Sequence, residues 1–284
     1  MDVTFWGTRG SIPSPGAHTS HYGGNTSCVE VRLDDGTLII FDAGTGIRVL
    51  GSDLMGRASP VTAYLFLTHM HWDHIQGLPF FAPAFVPSTS LCILGPEEAY
   101  LSLEQTLCDQ MRRPYYPIPM HAMPAKIDFL PLSPGNVFRL PGATVEVGLL
   151  NHPGQTLGYR LCAGDKVLVY ATDNEPFGTN PVTQHLVQPS RLQALAHRAD
   201  LLIQDAQYTP HEYEQRLGWG HSTYLDALCL AQAAGVKRLA LYHHDPSHSD
   251  TVIDQVMATC RTWMQSQHAA FSCFAAAEGD RVTL

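Results

Sequence analysis

Six apolar runs in this chain each end in Asp or His, and this recurrence constrains the fold more than any other feature of the sequence. LIIFDAGTG (38–46) reaches Asp42, and VTAYLFLTHMHWDH (61–74) reaches His69, His71, Asp73 and His74. TVEVGLLNHPG (144–154) ends in His152, KVLVYATDNE (166–175) in Asp173, and LLIQDAQ (201–207) in Asp205. RLALYHHDP (238–246) ends in His243, His244 and Asp245. Apolar, β-branched runs bounded by Gly, Pro, Asp or Asn read as strands. In open α/β sheets ligands bind outside the carboxyl ends of strands. The pattern therefore predicts a single polar centre along one edge of the sheets.

Val3–Trp6 and Leu91–Leu94 read as further strands. Helices are predicted over Thr223–Ala234, capped by Ser222 or Thr223 and stopped by Gly235, and over Thr251–Gln265, with Asp250 as the cap. A third is predicted over Pro189–Arg198. Many strands with interspersed helices give an α/β class with layered packing. Arg113–Pro134 is Pro-rich and reads as a loop: a surface excursion, a lid, or a joint between two halves.

At 284 residues the chain makes one large domain or two small ones. It is 45% hydrophobic and 15% charged, a balance that excludes wholesale disorder. No apolar run approaches the roughly 18 residues of a membrane span. The opening MDVTFWGTRGSIPSPG has no apolar targeting segment, so no signal peptide is visible. The net charge is −9, against the sign expected of a chain that grips a long phosphate backbone. The seven cysteines are odd in number and include no C-x-x-C. Free thiols in a reducing cytoplasm are the expectation.

His69-x-His71-x-Asp73-His74 packs four donors into six residues. They cannot all serve one ion, but a turning loop can bring His69 and His71 to one metal and leave Asp73 and His74 for a second. Neutral imidazoles and carboxylates suit Zn²⁺, Mn²⁺ or Fe²⁺. Two such ions about 3.5–4 Å apart can share a hydroxide and clamp a displacement. Read singly, His152 is an ordinary loop histidine and Asp173 a turn residue. Only one of His243 and His244 can be a ligand, because alternate residues at a strand end face opposite ways. His221 precedes a helix start, a position that suits an anionic phosphate. Trp72, which flanks the site, is expected to pack in its loop, Arg9 to be a plain surface or structural arginine with a phosphate contact as the alternative, and His18, His21, His121, His211 and His248 to lie at the surface.

T-H-M-H-W-D-H (68–74) resembles the H-x-H-x-D-H signature of the metallo-β-lactamase superfamily. F-D-A-G (41–44), N-H-P-G (151–154), A-T-D-N (171–174), G-H-S-T (220–223) and L-Y-H-H-D-P (241–246) are similar to segments of its RNase Z and phosphodiesterase branch. The opening F-W-G-T-R-G-S (5–11) and G-G-N-T-S (23–27) fit the same branch. The resemblance spans the chain and implies a four-layer αββα sandwich of the metallo-β-lactamase type. It would be one domain over 1–284, with two αβ halves and an insertion near 113–134.

The same resemblance implies two divalent metal ions, zinc first, with manganese or iron as alternatives. His69, His71 and His152 would hold one, Asp73, His74 and His243 the other, and Asp173 would bridge both. Asp73 would also orient the nucleophile. His221 would donate a proton or stabilise an oxyanion, oriented by Asp205, and Asp42 would hold the histidine loop. The implied activity is phosphodiester hydrolysis. RNase Z proteins carry a basic Gly/Pro-rich arm that holds tRNA, and here only Arg112, Arg113 and Lys126 form a thin basic patch. Small phosphodiesters such as cyclic nucleotides therefore rank above tRNA 3′-processing. Thioester or lactone hydrolysis, single-iron oxygenation and metal binding without turnover are the alternatives on the same fold. RNase Z relatives suggest a homodimer.

Overall fold

Strands that are apolar along nearly their whole length need cover on both faces. The computed structural model, which describes residues 1–57, 60–97, 101–176 and 189–284, supplies that cover in four layers. One sheet holds β1 (Asp2–Gly7), β2 (Cys28–Arg32), β3 (Leu38–Phe41), β4 (Thr62–Phe66), β5 (Ser90–Gly95) and β6 (Lys126–Pro131). The other holds β7 (Val137–Leu140), β8 (Ala143–Leu149), β9 (Leu157–Ala163), β10 (Lys166–Ala171), β11 (Leu201–Asp205), β12 (Arg238–Tyr242) and β13 (Ser272–Ala275). β14 (Arg281–Thr283) returns to the first sheet and pairs with β1. The two sheets share a plan. Antiparallel strands lie on one side, and four parallel strands lie on the other, β3 to β6 in the first and β10 to β13 in the second.

Alternation along each strand sorts the layers. Ile39 and Phe41 of β3 point between the sheets, where they meet Tyr159, Tyr170 and Ile203. Leu38 and Ile40 point outward, onto Ile47, Leu50 and Leu54 of α1 (Gly46–Met55). The outer cover of the first sheet includes α2 (Trp72–Ile75) and α3 (Leu103–Gln110). On the second sheet Leu202 faces outward, toward α4 (Pro189–Ala196), α6 (Tyr224–Ala234) and α7 (Asp250–Ser266), with the short α5 (Pro210–Tyr213) before them in the chain. Tyrosines buried between the sheets find polar partners. Tyr159 donates to the Leu67 carbonyl at 2.5 Å, Tyr242 to that of Gly7 at 2.5 Å, and Tyr170 to Asp42 at 2.9 Å.

The parallel registers bring the strand exits level with one another. Phe41 lies opposite Phe66, Ala171 opposite Gln204, and Asp205 opposite Tyr242. β8 and β10 are both antiparallel to β9, so His152, after β8, leaves toward the same edge as Asp173.

Several local expectations are corrected. Ser249, not Asp250, caps α7; Asp250 instead accepts hydrogen bonds from the backbone N–H groups of His21 and Tyr22. Thr223 caps α6 in a reciprocal box with Asp226, while Ser222 donates to the Asn174 carbonyl. The Pro-rich stretch is not only loop, because it contributes β6, the edge strand of the first sheet. Trp72 does not pack in its loop and is 78% exposed. His248 is buried and lies 2.9 Å from Glu212. β2, β7, β9, β13, β14, α1 and α3 were not foreseen, and charged residues account for the first: Glu30 interrupts β2 but is buried between Trp6, Arg32 and Arg57.

Candidate metal centre

β4 delivers its four donors through a turn that becomes α2. His69 comes before the turn, His71 occupies the cap position, and Asp73 and His74 lie on the helix. Asp42 braces this turn from the end of β3. Its carboxylate accepts from the Thr68 N–H at 2.8 Å and from the Thr68 hydroxyl at 3.0 and 3.1 Å. His74 Nδ1 lies 2.8 Å from Asp42 Oδ2, and His69 Nδ1 lies 3.0 Å from Thr68 Oγ1. Both rings thereby hold their Nδ1 proton outward and turn Nε2 inward.

The second half supplies its groups one strand exit at a time. His152 Nδ1 donates to the Gly220 carbonyl at 2.8 Å, and His243 Nδ1 lies 2.9 Å from Gln207 Oε1. Asp173 follows β10, and His221 Nδ1 lies 2.7 Å from Asp205 Oδ2. His244, next to His243, turns the other way and lies 3.0 Å from the Ala276 carbonyl. Asp42, Asp173, His243 and Ser11 all adopt positive φ, between 52° and 63°. Such backbone costs on the order of 1 kcal/mol per residue and persists only where the surroundings hold it.

Three overlapping donor groups result: two draw on the histidine turn, and the third is Asp173, Asp205, His221 and His243. Ligand atoms of His69, His71, His152 and Asp173 lie within 4.8 Å of one another, as do those of Asp73, His74, Asp173 and His243. Asp173 is common to both, with Oδ2 3.6 Å from His69 and Oδ1 3.2 Å from both His74 and His243. The donors fit divalent cations in both kind and arrangement. His74 Nε2 faces His243 Nε2 at 3.3 Å, and His152 Nε2 faces His71 Nδ1 at 3.1 Å. His69 Nε2 is buried with no hydrogen-bond partner among the described residues. Imidazole nitrogens converging this closely, with carboxylate oxygens among them, are the donor pattern a divalent cation takes.

Electrostatics point the same way. Burial keeps His69 well below its usual range and His152 at about 4, so both are neutral donors. Burial also opposes charging of His74, yet Asp173, Asp73 and Asp42 hold it well above its usual range. Asp73 and Asp173 stay ionised, because the histidines around them outweigh desolvation. Burial likewise opposes charging of His221, but Asp205 overrides it and the ring is pushed up to about 9. His221 stacks on His243, with ring centroids 5.0 Å apart, beside both donor sets.

The structure thus brings together His69, His71, Asp73, His74, His152, Asp173 and His243, with Asp42 and Asp205 behind them and His221 alongside. Four supporting groups escaped the sequence reading. Thr68 links two histidines to Asp42. Gln207 orients His243. Ser11 gives its N–H to Asp73 Oδ2 at 2.7 Å. Glu175 accepts from the N–H groups of Gly218 and Gly220 at 2.6 and 3.2 Å, fixing the loop that carries the His152 acceptor. Gly220 has φ +87°, and a Cβ there would lie 2.2 Å from His152 Nδ1. Gln207 and Glu175 each lie two residues beyond a singled-out Asp. Arg9 is fully buried, and its guanidinium donates to the carbonyls of Gly23, Asp245 and His248, so it is structural.

Residues 37–244 match the model of the beta-lactamase superfamily domain. Ribonuclease Z of Staphylococcus aureus (strain MSSA476) is 24% identical, with 91% of this chain and 93% of the relative covered. The crystal structure of human tRNase Z, short form, superposes with a TM-score of 0.66 at 21% identity, covering 100% of this chain and 99% of that one. A diphosphatase from the PhnP family gives 0.68 at 17% identity, covering 100% and 97%.

Proposed function

The chain belongs to the beta-lactamase superfamily, and from that premise we propose that this hydrolase is a two-metal phosphodiesterase acting on small phosphodiesters such as cyclic nucleotides. The observation that carries the reading is the pair of four-donor sets sharing Asp173, with a histidine–aspartate pair beside them. His69, His71 and His152 would hold one ion, Asp73, His74 and His243 the other, with Asp173 between, and zinc is the first choice for this donor set. Bound there, two divalent cations supply a water deprotonated near neutral pH and positive charge against the charge that develops on phosphorus.

The chain's own groups do the rest. Asp73 orients the attacking water through its carboxylate, itself fixed by the Ser11 N–H. The water oxygen forms a bond to phosphorus, the ester P–O bond opposite it breaks, and the leaving oxygen needs a proton. His221 holds one, and Asp205 keeps its ring charged and aimed. Part of that charge stabilisation comes from Asp173 and Asp73, so His221 releases its proton more readily once those carboxylates are neutralised.

A net charge of −9 and the thin Arg112–Arg113 patch favour a small substrate over a folded RNA. The 24% identity to a ribonuclease Z keeps RNA 3′-end cleavage as the second reading. The test is hydrolysis of an activated phosphodiester by metal-reconstituted protein, beside chelated protein and Asp73→Ala. Metal-dependent turnover that collapses in the variant supports the reading. No turnover with metal bound and the fold intact sinks it, and moves the assignment to thioesters or lactones.

A further inference from the structure

Single apolar side chains left in water are ordinary on folded surfaces, but their grouping carries meaning. Here three stand within two residues of groups that build the metal centre. Trp72, 78% exposed, lies between His71 and Asp73. Trp219, 60% exposed, precedes Gly220, whose carbonyl holds His152. Ile12 follows Ser11, whose N–H holds Asp73, and is also exposed.

Trp72 also lines a groove of about 620 Å³ between the α2 turn and the end of α3. That volume suits one small ligand and is too small for a nucleic-acid duplex. Met70, Trp72, Phe80 and Tyr115 form its walls, and Tyr115 is 74% exposed. Tyr116 fixes the floor: its hydroxyl donates to the Pro79 carbonyl at 2.8 Å and its ring meets Phe80 edge-on at 5.6 Å. The groove is not simply greasy. Gln76, Gln110 and Arg112 also line it, as does Asp109, 4.0 Å from Arg112. Gln110 Nε2 is buried there with no hydrogen-bond partner among the described residues. Exposed aromatic walls with polar side chains between them match a planar ring with polar edges better than an acyl chain.

We propose that this groove seats a nucleobase of the substrate, stacked on Trp72 and Tyr115, while the phosphodiester lies at the His/Asp cluster. The proposal rests on the phosphodiester reading above and adds where base recognition takes place. Trp72 and Tyr115 are specificity residues here and touch no reacting atom.

The test compares adenosine 5′-monophosphate with ribose 5-phosphate as ligands of the metal-loaded full chain, by calorimetry and by quenching of tryptophan emission. The nucleotide is expected to bind about tenfold tighter or more, the scale of one base on an aromatic side chain. Trp72→Ala and Tyr115→Ala should each bring that ratio toward one, and Trp72→Phe should abolish the quenching. Tyr115→Ala guards against a Trp72 variant that merely disturbs the neighbouring donors. Equal binding of the two ligands by the wild type overturns the proposal, as does a ratio that survives both variants. Octanoate filling the groove in preference to the nucleotide also overturns it, in favour of an acyl substrate. If no phosphodiester is turned over yet the ratio holds, the catalytic reading fails and the base site stands. Turnover with a ratio of one fails the base site alone.

Discussion

The two halves of the metal centre are built in opposite ways. In the first half one six-residue turn carries His69, His71, Asp73 and His74, and a single carboxylate, Asp42, braces it through Thr68 and His74. In the second half, His152, Asp173, His221 and His243 arrive from separate segments, and the rings of His152, His221 and His243 rest on different acceptors, Gly220, Asp205 and Gln207, although Asp205 also accepts from the backbone N–H groups of Asn174 and Gln207. A shared brace couples the groups it holds, whereas separate braces leave their groups independent. Damage to the first half should therefore spread to both donor sets, and damage to the second should stay local.

Asp173 belongs to both sets and should give the largest effect. Asp173→Ala is expected to lower bound metal in both sets and to cut hydrolysis by about a thousandfold or more, measured by elemental analysis beside turnover. Full occupancy of one set in this variant would break the picture of a shared bridge. His221→Gln comes next, with a loss of roughly 10²- to 10⁴-fold in kcat while metal content holds, since the residue is assigned to proton transfer alone. Metal loss in that variant would move His221 into the donor set.

The comparison is sharpest in the third pair. Asp42→Asn should weaken metal binding by about 10- to 100-fold, the usual cost of losing a group that orients a ligand, and should do so at both sets because His69 and His74 belong to different ones. Gln207→Ala should give the smallest effect, a few-fold to about tenfold weakening confined to the set that contains His243. Competitive titration with a metal-sensing dye resolves the two. Equal, two-set losses from Gln207→Ala would show that the second half is coupled as tightly as the first.

The same contrast explains what could be read in advance. His69, His71, Asp73 and His74 are legible because their spacing in the chain is their spacing in space. The strand exits are legible as exits, since a run such as RLALYHH ends visibly at the polar pair. Which exits converge is not legible, because convergence depends on sheet order and register. α1 stayed hidden because Gly46 and Gly51 lower its helix propensity by about 1 kcal/mol each relative to Ala, and packing against β1 and the following turns restores it. Trp72 was misread for a related reason: a large apolar residue defaults to the interior, and only the path of α2 shows that it faces water.

The sequence alone determined the chemistry on offer, the strand-rich layered class and the four-donor turn, since residue type, alternation and short spacing are local properties. Tertiary structure decided the rest. It turned His243 inward and His244 away, placed Asp173 against both donor sets, and gave Thr68, Ser11, Gln207 and Glu175 supporting roles that their places in the sequence do not state. It also left Trp72 and Tyr115 facing a common groove. Those outcomes depend on which strands become neighbours and at what register, which long-range burial of apolar faces fixes and no short window of sequence encodes.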